Sequence, residues 1–468
     1  MIRQLLVLSA FTAAALAQQP LTFGNLVVVR VGDGTAPLTN AATATFLDEY
    51  TPAGTLVQTI ALPTAANGLN QPFSNSGTAT SEGFLNLSQN GIYLTLTGYA
   101  SAPGTAAIAS SPASVVARVI ARVDLGGGID TSTTITDGYN GVPAVPPLTT
   151  TTSGNPRSAV TLDGTAYWTS GTGASATAGV RYVQHGANTS LGLNAGAPSN
   201  VRVAGIYNGQ LYATSASTVY QSVCAVGTGL PTTIGQSVSV LPGLPAASGP
   251  SAYDFWFADP QTLYIADDRA PLSNGGVQKY SNVNGTWALQ YILQSTTGCR
   301  AVTGRRANGT TTIFATASNG QLVSFVDNGA GSPATVVATA PTNTAFRGLR
   351  VIRKPSTLTR LPAACGTTGI QAVGNAEVGT DVITTIAGAQ GIPFVSYGLT
   401  FFNLPFCGCF LVHDFIVLAA GSQSTLSIPN NPALFGFALY IQGVDLGGVT
   451  GCQDPLFALT DGYALTIQ

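Results

Sequence analysis

Six charged residues recur at matching places in a chain that otherwise carries few charges. Only 8% of the 468 residues are Asp, Glu, Lys or Arg. The recurring residues each lead into an apolar strand of a repeated segment, and they are Glu82, Arg157, Arg202, Asp254, Arg300 and Arg347. Guanidinium groups form charge-assisted hydrogen bonds with carboxylate, sulfate and phosphate groups. Four arginines against two acids therefore predict a cationic binding site for a small anionic group or, alternatively, a structural set of ion pairs between neighbouring units.

The acids of this set allow a second interpretation, which is chemistry on a polysaccharide. Glycoside hydrolases use two carboxyl groups about 5–10 Å apart. Glu82 and Asp254 belong to different repeated units, and the pair Asp48-Glu49 lies on another strand. A lyase or hydrolase that uses Glu82 or Asp254 with the arginines therefore stays an alternative, and the sequence assigns no catalytic residue.

Histidine and metal chemistry receive little support. His185 lies in a predicted solvated turn, and His413 lies between apolar strands near the C-terminus. The chain has no G-x-S-x-G, H-E-x-x-H or G-K-[ST] motif, which nucleophilic, zinc or phosphate sites would favour. Asp33 or the pair Asp267-Asp268 offers a weak structural Ca²⁺ site without a D-x-D-x-D loop. We therefore predict no cofactor and no metal.

The charged positions belong to a hairpin that is repeated five times. Each copy has an apolar strand, a tight turn and a second strand with an aromatic residue near its centre. The turns are Asn90-Gly91, Asp163-Gly164, Asn208-Gly209, Asp259-Pro260 and Asn308-Gly309, and the aromatic residues are Tyr93, Tyr167, Tyr212, Tyr264 and Phe314. Asn-Gly and Asp-Gly favour type I′ turns because both residues tolerate positive φ. Two further strands follow each hairpin, and four-stranded units of about 40–50 residues are typical of β-propeller blades.

The two ends of this region can supply one more unit. The segment FRGLRVI (346–352) provides an innermost strand, and LVVVRVG (26–32), ATFLDEYTPAG (44–54) and LVQTIAL (56–62) provide the other three. The sequence thus predicts an all-β protein with a six-bladed β-propeller, or alternatively a seven-bladed one, closed by N- and C-terminal strands over residues 18–355. Short strands without the repeat over residues 356–468 predict a β-sandwich-like module.

The N-terminus has the pattern of a secretory signal peptide. Arg3 precedes an apolar core from Leu5 to Leu16, and an A-x-A site ends at Ala17. Such a core of about twelve residues is too short to span a bilayer. We expect cleavage near Ala17 and export of residues 18–468 to the medium, the cell surface or the periplasm, with no transmembrane segment.

Composition excludes two broad classes of protein. With 45% hydrophobic residues and a mean hydropathy of +0.30, the chain can bury large cores and is not intrinsically disordered. Its 17 basic and 19 acidic residues give a net charge of -2, which provides no field for nucleic acid. In an oxidising compartment, disulfide bonds are expected among Cys365, Cys407, Cys409 and Cys452, with the pairing open.

Several segments resemble a family of secreted bacterial β-propellers. They include LVVVRVGDG (26–34), FLDEYTPAGTLVQTIALP (46–63) and GTATSEGFL (77–85). The C-terminal segments IPNNPALFGFALYIQ (428–442) and LTDGYALTIQ (459–468) resemble a module at the ends of secreted bacterial proteins. The resemblance implies an exported propeller followed by a β-module, and it implies no activity and no functional residues.

These observations favour an exported, non-catalytic binding protein. Its propeller would recognise a small anionic molecule or a glycan at the mouth of a central channel, and its C-terminal module would contact the cell surface or another protein. The alternatives are the polysaccharide-active enzyme described above and a structural protein of the cell envelope, which the low charge favours.

Overall fold

The computed structural model describes residues 18–143, 152–194, 196–247, 249–307, 310–353, 357–361, 363–364, 368–374, 376, 381–406, 409–429, 434, 437–447 and 457–467. The predicted signal peptide lies outside the described residues, as do the turn Asn308-Gly309 and the cysteines Cys365, Cys407 and Cys452. Within the described ranges the regular structure is β-strand and three short 3-10 helices, with no α-helix. The all-β prediction is therefore confirmed.

The first sheet has nine antiparallel strands and joins the two ends of the repeated region. Its strands are β1 (Leu26–Val31), β2 (Ala42–Tyr50), β3 (Leu56–Ala61), β4 (Ser74–Ser76), β5 (Asn86–Leu87), β6 (Tyr93–Tyr99), β7 (Arg118–Asp124), β8 (Ile129–Ile135) and β25 (Ala345–Val351). Strand β1 pairs with β25 on one side and with β2 on the other, and β3 pairs with β2. These are the pairings that the sequence predicts for the composite unit. They bury β1, whose valines are shielded on both faces.

Four four-stranded antiparallel sheets follow along the chain. They contain β9 (Pro156–Val160), β10 (Ala166–Gly171), β11 (Gly179–Gln184) and β12 (Leu191–Gly192); β13 (Val201–Tyr207), β14 (Gln210–Ser215), β15 (Val223–Val226) and β16 (Val238–Val240); β17 (Ala252–Asp259), β18 (Thr262–Asp267), β19 (Gly276–Val283) and β20 (Thr286–Leu293); and β21 (Cys299–Ala307), β22 (Thr310–Ala317), β23 (Gln321–Val326) and β24 (Thr335–Thr339). We call residues 18–353 the repeat region.

The hairpin turns differ in how they reverse the chain. Asn208 and Gly209 both have positive φ, as the type I′ prediction requires. At Asn90-Gly91 and Asp163-Gly164 only the glycine has positive φ, so that prediction is wrong there. The reason is a side-chain hydrogen bond, because the Asp163 carboxylate accepts the N–H of Thr165 and closes the turn locally.

The recurring aromatic residues pack inside and between sheets. Tyr167, Tyr264 and Phe314 are buried, and Tyr212 lies against Phe257 of the following sheet with ring centroids 5.0 Å apart. Contacts of this kind stabilise by burial of large apolar surfaces. The aromatic positions therefore build the core of the repeat region.

The C-terminal strands form separate sheets. A five-stranded sheet has the order β26-β35-β34-β29-β32, a three-stranded sheet has the order β27-β28-β33, and β30 pairs with β31. Their bounds are β26 (Thr357–Leu361), β27 (Gly369–Gly374), β28 (Asp381–Ala387), β29 (Ile392–Gly398), β30 (Phe401–Phe406), β31 (Cys409–His413), β32 (Val417–Ala420), β33 (Gln423–Ser427), β34 (Ala438–Leu446) and β35 (Phe457–Thr466). We call these described strands the tail module. Ile386 of the smaller sheet and Ile441 of the larger one share a buried core.

Cys409 is disulfide-bonded, whereas Cys224 and Cys299 of the repeat region are free and buried.

A buried carboxylate joins two neighbouring sheets of the repeat region. Asp327, whose side chain is 1% exposed, accepts hydrogen bonds from Lys279 Nζ at 2.8 Å, Tyr291 Oη at 2.6 Å and the Tyr264 hydroxyl. Burial acts to raise the pKa of Asp327, but these three donors outweigh it and leave the pKa below 3.8.

Asp327→Asn is expected to lower the free energy of unfolding by about 1–3 kcal/mol at pH 7, because charge-assisted hydrogen bonds are lost. A carboxyl group with a lowered pKa stabilises the folded state above its unfolded pKa of about 3.9, and that stabilisation is lost as the pH falls through the folded value. The difference between parent and variant should therefore shrink from pH 7 to pH 3 in urea unfolding. A difference that is the same at both pH values would contradict this role of the charge.

Candidate functional site

Four arginines predicted from the repeat lie around the ring of Tyr253. The Arg202 guanidinium carbon is 3.7 Å from the centre of that ring, and the Arg300 carbon is 5.8 Å from it. Arg157 interacts electrostatically with Arg202, and Arg347 does so with Arg300. We call Arg157, Arg202, Arg300 and Arg347 the arginine cluster. They come from the innermost strands β9, β13, β21 and β25.

The arginine cluster has more hydrogen-bond donors than acceptors. Arg157 and Arg347 are 7% and 5% exposed, and the Nε atom of each is buried without an acceptor in the described structure. Burial, together with the nearby charge of Arg202, lowers the pKa of Arg157 to about 10. Burial likewise lowers the pKa of Arg347 to about 10. Both stay cationic at neutral pH, so the cluster has unsatisfied positive groups.

The remaining bonds of these side chains go to backbone carbonyls, to neutral side-chain oxygens and to one carboxylate. Arg157 Nη1 donates to the Val201 carbonyl at 3.1 Å, and Arg202 Nη1 donates to the Ala252 carbonyl at 2.8 Å. Arg300 Nε lies 3.4 Å from the carboxylate of Asp268. Carbonyl oxygens orient a guanidinium without neutralising its charge. Asp268 therefore gives only partial compensation at one edge of the cluster.

Glu82 lies beside the cluster but is fully buried in its own network. Its carboxylate accepts hydrogen bonds from the Tyr99 hydroxyl at 2.5 Å, from Asn155 Nδ2 at 2.6 Å and from the Ser76 N–H at 2.8 Å. Burial raises its pKa, while these donors and the charge of Arg347 act in the opposite direction. Glu82 is 0% exposed. Its carboxylate therefore compensates positive charge of the arginine cluster from the protein interior and presents no oxygen to solvent.

Asp254 does not lie with the arginine cluster. Its carboxylate is held by Arg350, with Nη1 at 2.7 Å and Nη2 at 3.1 Å, and Tyr253 contacts the cluster instead. Hydroxyl groups of preceding sheets bond to equivalent carbonyls of the inner strands, from Ser170 to Arg202, from Thr214 to Tyr253 and from Thr316 to Arg347. Tyr253 is thus the residue equivalent to the arginines. A shift of one residue along a strand moves a side chain to the opposite face.

A polar network therefore lies next to the arginine cluster. Arg350 Nη2 also donates to Asn86 Oδ1 at 2.8 Å, and its Nη1 donates to the Val302 carbonyl at 3.2 Å. Asn86 Nδ2 donates to the carbonyls of Ala159 at 2.9 Å and Ala204 at 3.1 Å. We call Asn86, Asp254 and Arg350 the central network. It joins the inner strands β5, β9, β13, β17, β21 and β25 at one place.

The acids needed for glycoside chemistry are held in separate places. Glu82 and Asp254 are both fully buried, and each is saturated by different donors. Asp48 pairs with Arg30 at 2.6 Å, and Glu49 accepts from Asn25 Nδ2 at 2.7 Å. These carboxylates thus act as structural acceptors.

The two histidines are also held by neighbouring groups. His185 lies in the turn between β11 and β12, as predicted, with its side chain 29% exposed and 2.9 Å from the Tyr167 hydroxyl. His413 is fully buried, with Nδ1 at 2.6 Å from the Asp414 carbonyl and Nε2 at 3.1 Å from Ser396 Oγ. Burial lowers the pKa of both rings.

The Ca²⁺ candidates have protein partners. Asp267 accepts from Arg269, Asp268 faces Arg300, and Asp33 accepts from the side chain of Thr35. Among the described residues, no three His, Cys, Asp or Glu side chains come together in a way that could hold a metal ion.

Sequence reasoning missed Tyr253, Arg350 and Arg118. Arg118 is fully buried and donates to the carbonyls of Tyr139, Val116 and Gly154. The scarcity of charge in this chain was the usable signal, because an arginine within an apolar strand must find acceptors when it is buried. Which acceptors it finds depends on distant segments.

Comparisons with known proteins give fold-level similarities alone. No family model matches the chain, and no curated protein matches it by sequence. The WD40 β-propeller domain of Doa1 aligns at a TM-score of 0.35 and 10% identity, over 75% of this chain and 94% of that one. PorZ, a surface component of the type-IX secretion system of Porphyromonas gingivalis, aligns at a TM-score of 0.35 and 12% identity, over 96% of this chain and 58% of that one. Apo AztD from Citrobacter koseri aligns at a TM-score of 0.29 and 10% identity, over 95% of this chain and 99% of that one. The resemblance to a family of secreted propellers stays a prediction.

None of the helices in the described ranges has the length and apolarity needed to cross a membrane.

Proposed function

We propose that this protein is an exported binding protein whose repeat region is a β-propeller that recognises an anionic group at the arginine cluster. The observation that carries the proposal is the pair of buried Nε–H groups, on Arg157 and Arg347, that have no acceptor among the described residues. A buried donor without a partner costs about 1–3 kcal/mol. A bound carboxylate, sulfate or phosphate supplies oxygen acceptors and negative charge together.

The surroundings of the cluster favour an anion over a neutral ligand. Arg202 and Arg300 are partly accessible, so a ligand can reach them from solvent. Four guanidinium groups face the buried Glu82 and Asp268, while the nearby Asp267 is already paired with Arg269, which leaves an excess of positive charge. In a partly desolvated site such an excess attracts an anion more strongly than in water. Arg202 stacked on Tyr253 is also held in place before the ligand arrives.

The same proposal includes the architecture. Six inner strands meet at the central network, and β25 pairs with β1, which supports six blades around one axis with the ends of the region joined. The arginine cluster would then ring one mouth of the axis, where propellers present ligand sites. The predicted signal peptide supports export, and the tail module would serve attachment to the cell surface or to a protein.

Titration calorimetry of the purified full chain at low ionic strength tests the anion site with acetate, sulfate and phosphate as probes. Arg202→Gln and Arg300→Gln are the informative variants, because both side chains are partly exposed and their loss should leave the fold intact. Each should weaken binding about 10- to 100-fold, as expected for a hydrogen bond to a charged group. The exposed Arg305 provides the matched control, and Arg305→Gln should bind like the parent.

Absence of binding for all three anions would refute the anion site. Equal affinity of the parent, Arg202→Gln and Arg300→Gln would also refute it, because binding would then occur elsewhere.

A further inference from the structure

A concave pocket lies next to the arginine cluster. It is a pocket of about 420 Å³, within the range of small-molecule sites. Its walls come from the loop 76–81, the segment 107–110, the segment 153–155 and Asn40. The segment 107–110 lies between β6 and β7, in a stretch of the chain that is rich in small residues.

The lining of this pocket is neutral and rich in hydroxyl groups. It has no charged and no aromatic side chain among the described residues. Its hydroxyl groups are those of Ser76, Thr78, Thr80, Ser81, Ser110 and Ser153, and Asn40 and Asn155 add amides. Such groups donate and accept hydrogen bonds without preferring a charge. The pocket therefore suits a neutral ligand portion with several hydroxyl groups.

Several of these groups are free to bind a ligand. In the part of the chain that the structure describes, no hydrogen bond links the hydroxyls of Thr78, Ser81, Ser110 or Ser153 to another residue. Some loop hydroxyls elsewhere are used locally, as at Thr165, which donates to Asp163 at 2.6 Å. In this pocket the unused hydroxyls lie together in one concave place.

The walls of the pocket are held together by buried hydrogen bonds. The Gly154 N–H donates to the Ala109 carbonyl at 2.7 Å, which joins two of the wall segments directly. Arg118 Nη2 donates to the carbonyls of Ser111 at 2.8 Å and Gly154 at 3.0 Å. Beneath the floor, the Glu82 carboxylate binds Ser76 and Asn155. The site is thus preorganised, so that little ordering is required when a ligand binds.

One loop connects the pocket with the arginine cluster. The Gly77 carbonyl, between the lining residues Ser76 and Thr78, accepts a hydrogen bond from Arg347 Nη2 at 2.9 Å. Thr80 Oγ1 lies 3.5 Å from the hydroxyl of Tyr253, the ring on which Arg202 stacks. A ligand that fills the pocket is therefore one loop away from the cationic groups.

We propose that the pocket binds the hydroxyl groups of a sugar whose carboxylate contacts the arginine cluster, so that the ligand is a uronic acid, free or within a polysaccharide. This inference rests on the proposed anion site and gives it a substrate class. Hydroxyl-rich and anionic subsites on the two sides of one loop match a ligand that carries both kinds of group. Neither a simple anion nor a neutral sugar would occupy both subsites.

The test compares galacturonate, galactose and acetate by titration calorimetry with the full chain. Galacturonate is expected to bind at least about 10-fold more tightly than acetate or galactose, since several neutral hydrogen bonds add to the ionic contact. Thr78→Val and Ser110→Ala should each weaken galacturonate binding about 3- to 10-fold and leave acetate binding unchanged. Thr64→Val, an exposed threonine outside the pocket, is the matched control, and thermal unfolding verifies that each variant is folded.

The outcomes separate the two proposals. If galacturonate and acetate bind equally and Thr78→Val has no effect, the pocket proposal fails and the anion site stands. If galactose binds as tightly as galacturonate and Arg202→Gln has no effect on either, the link between pocket and cluster is overturned. If no probe binds, both proposals fail. Trigalacturonate distinguishes a polysaccharide ligand from a free uronic acid. Tighter binding of trigalacturonate than of galacturonate identifies a polysaccharide, and equal binding identifies the free acid.

Discussion

Arg350→Met is expected to lower the free energy of unfolding of the repeat region by about 3–5 kcal/mol, because it leaves a buried carboxylate without its partner. Asp254 is 0% exposed, and Arg350 is the cation that holds both of its oxygens. The same guanidinium bonds to Asn86 and to the Val302 carbonyl, so its loss also removes links between units. The chain has three tryptophans, Trp168, Trp256 and Trp287, all in the repeat region. Urea unfolding followed by tryptophan fluorescence therefore reports on this region.

Two further variants control this result. Arg305→Met makes the same substitution at an exposed arginine and should change stability by no more than about 0.5 kcal/mol. The double variant Asp254→Leu with Arg350→Met removes both charges and should recover a large part of the loss, since no uncompensated charge is left. A double variant that is less stable than Arg350→Met alone would show that packing, and not the unpaired carboxylate, dominates.

Gly348→Ala is expected to destabilise the repeat region by about 1–3 kcal/mol, because the added methyl group overpacks a backbone contact. A Cβ atom at Gly348 would lie 2.2 Å from the Leu85 nitrogen and 2.7 Å from the Phe84 Cα. Neither atom can rotate away, since both belong to the backbone. The Gly348 N–H also donates to the Gly83 carbonyl at 3.0 Å, so the junction between β25 and the segment before β5 would have to open.

Gly249→Ala is the matched control for this prediction. A Cβ atom there meets only the Ala247 carbonyl at 3.7 Å, and the residue is exposed with no positive φ. Its stability should match the parent or exceed it by about 0.4–1 kcal/mol, because alanine restricts the unfolded chain. Equal effects of the two substitutions would show that the approach of the two backbones at Gly348 is not tight.

Both predictions concern residues that sequence reasoning passed over. Arg350 lies within FRGLRVI, which was predicted as an inner strand, but nothing in that segment indicates Asp254, almost one hundred positions earlier, as its partner. Gly348 gives no turn signal. Its small size is required by the backbone of residues 83–85, which are far from it in the sequence. Contacts between distant segments follow from strand packing and are not visible in local spacing.

The sequence alone determined the all-β class, the four-stranded repeat and the pairing of β25, β1, β2 and β3. These follow from local patterns, because alternation of apolar residues, Gly-containing turns and aromatic spacing act over a few residues. It also located the four arginines of the cluster, since a repeat places equivalent residues at equivalent positions.

Only the tertiary structure decided what these side chains do. It placed Tyr253 with the arginines and paired Asp254 with Arg350, because a shift of one residue in a strand exchanges its two faces. It buried Glu82 under a pocket, and it joined two of the pocket's wall segments through Arg118, which donates to the carbonyls of Ser111 and Gly154. In a chain with so few charges, each buried charge must find acceptors in three dimensions, and these contacts link neighbouring sheets and shape the proposed site.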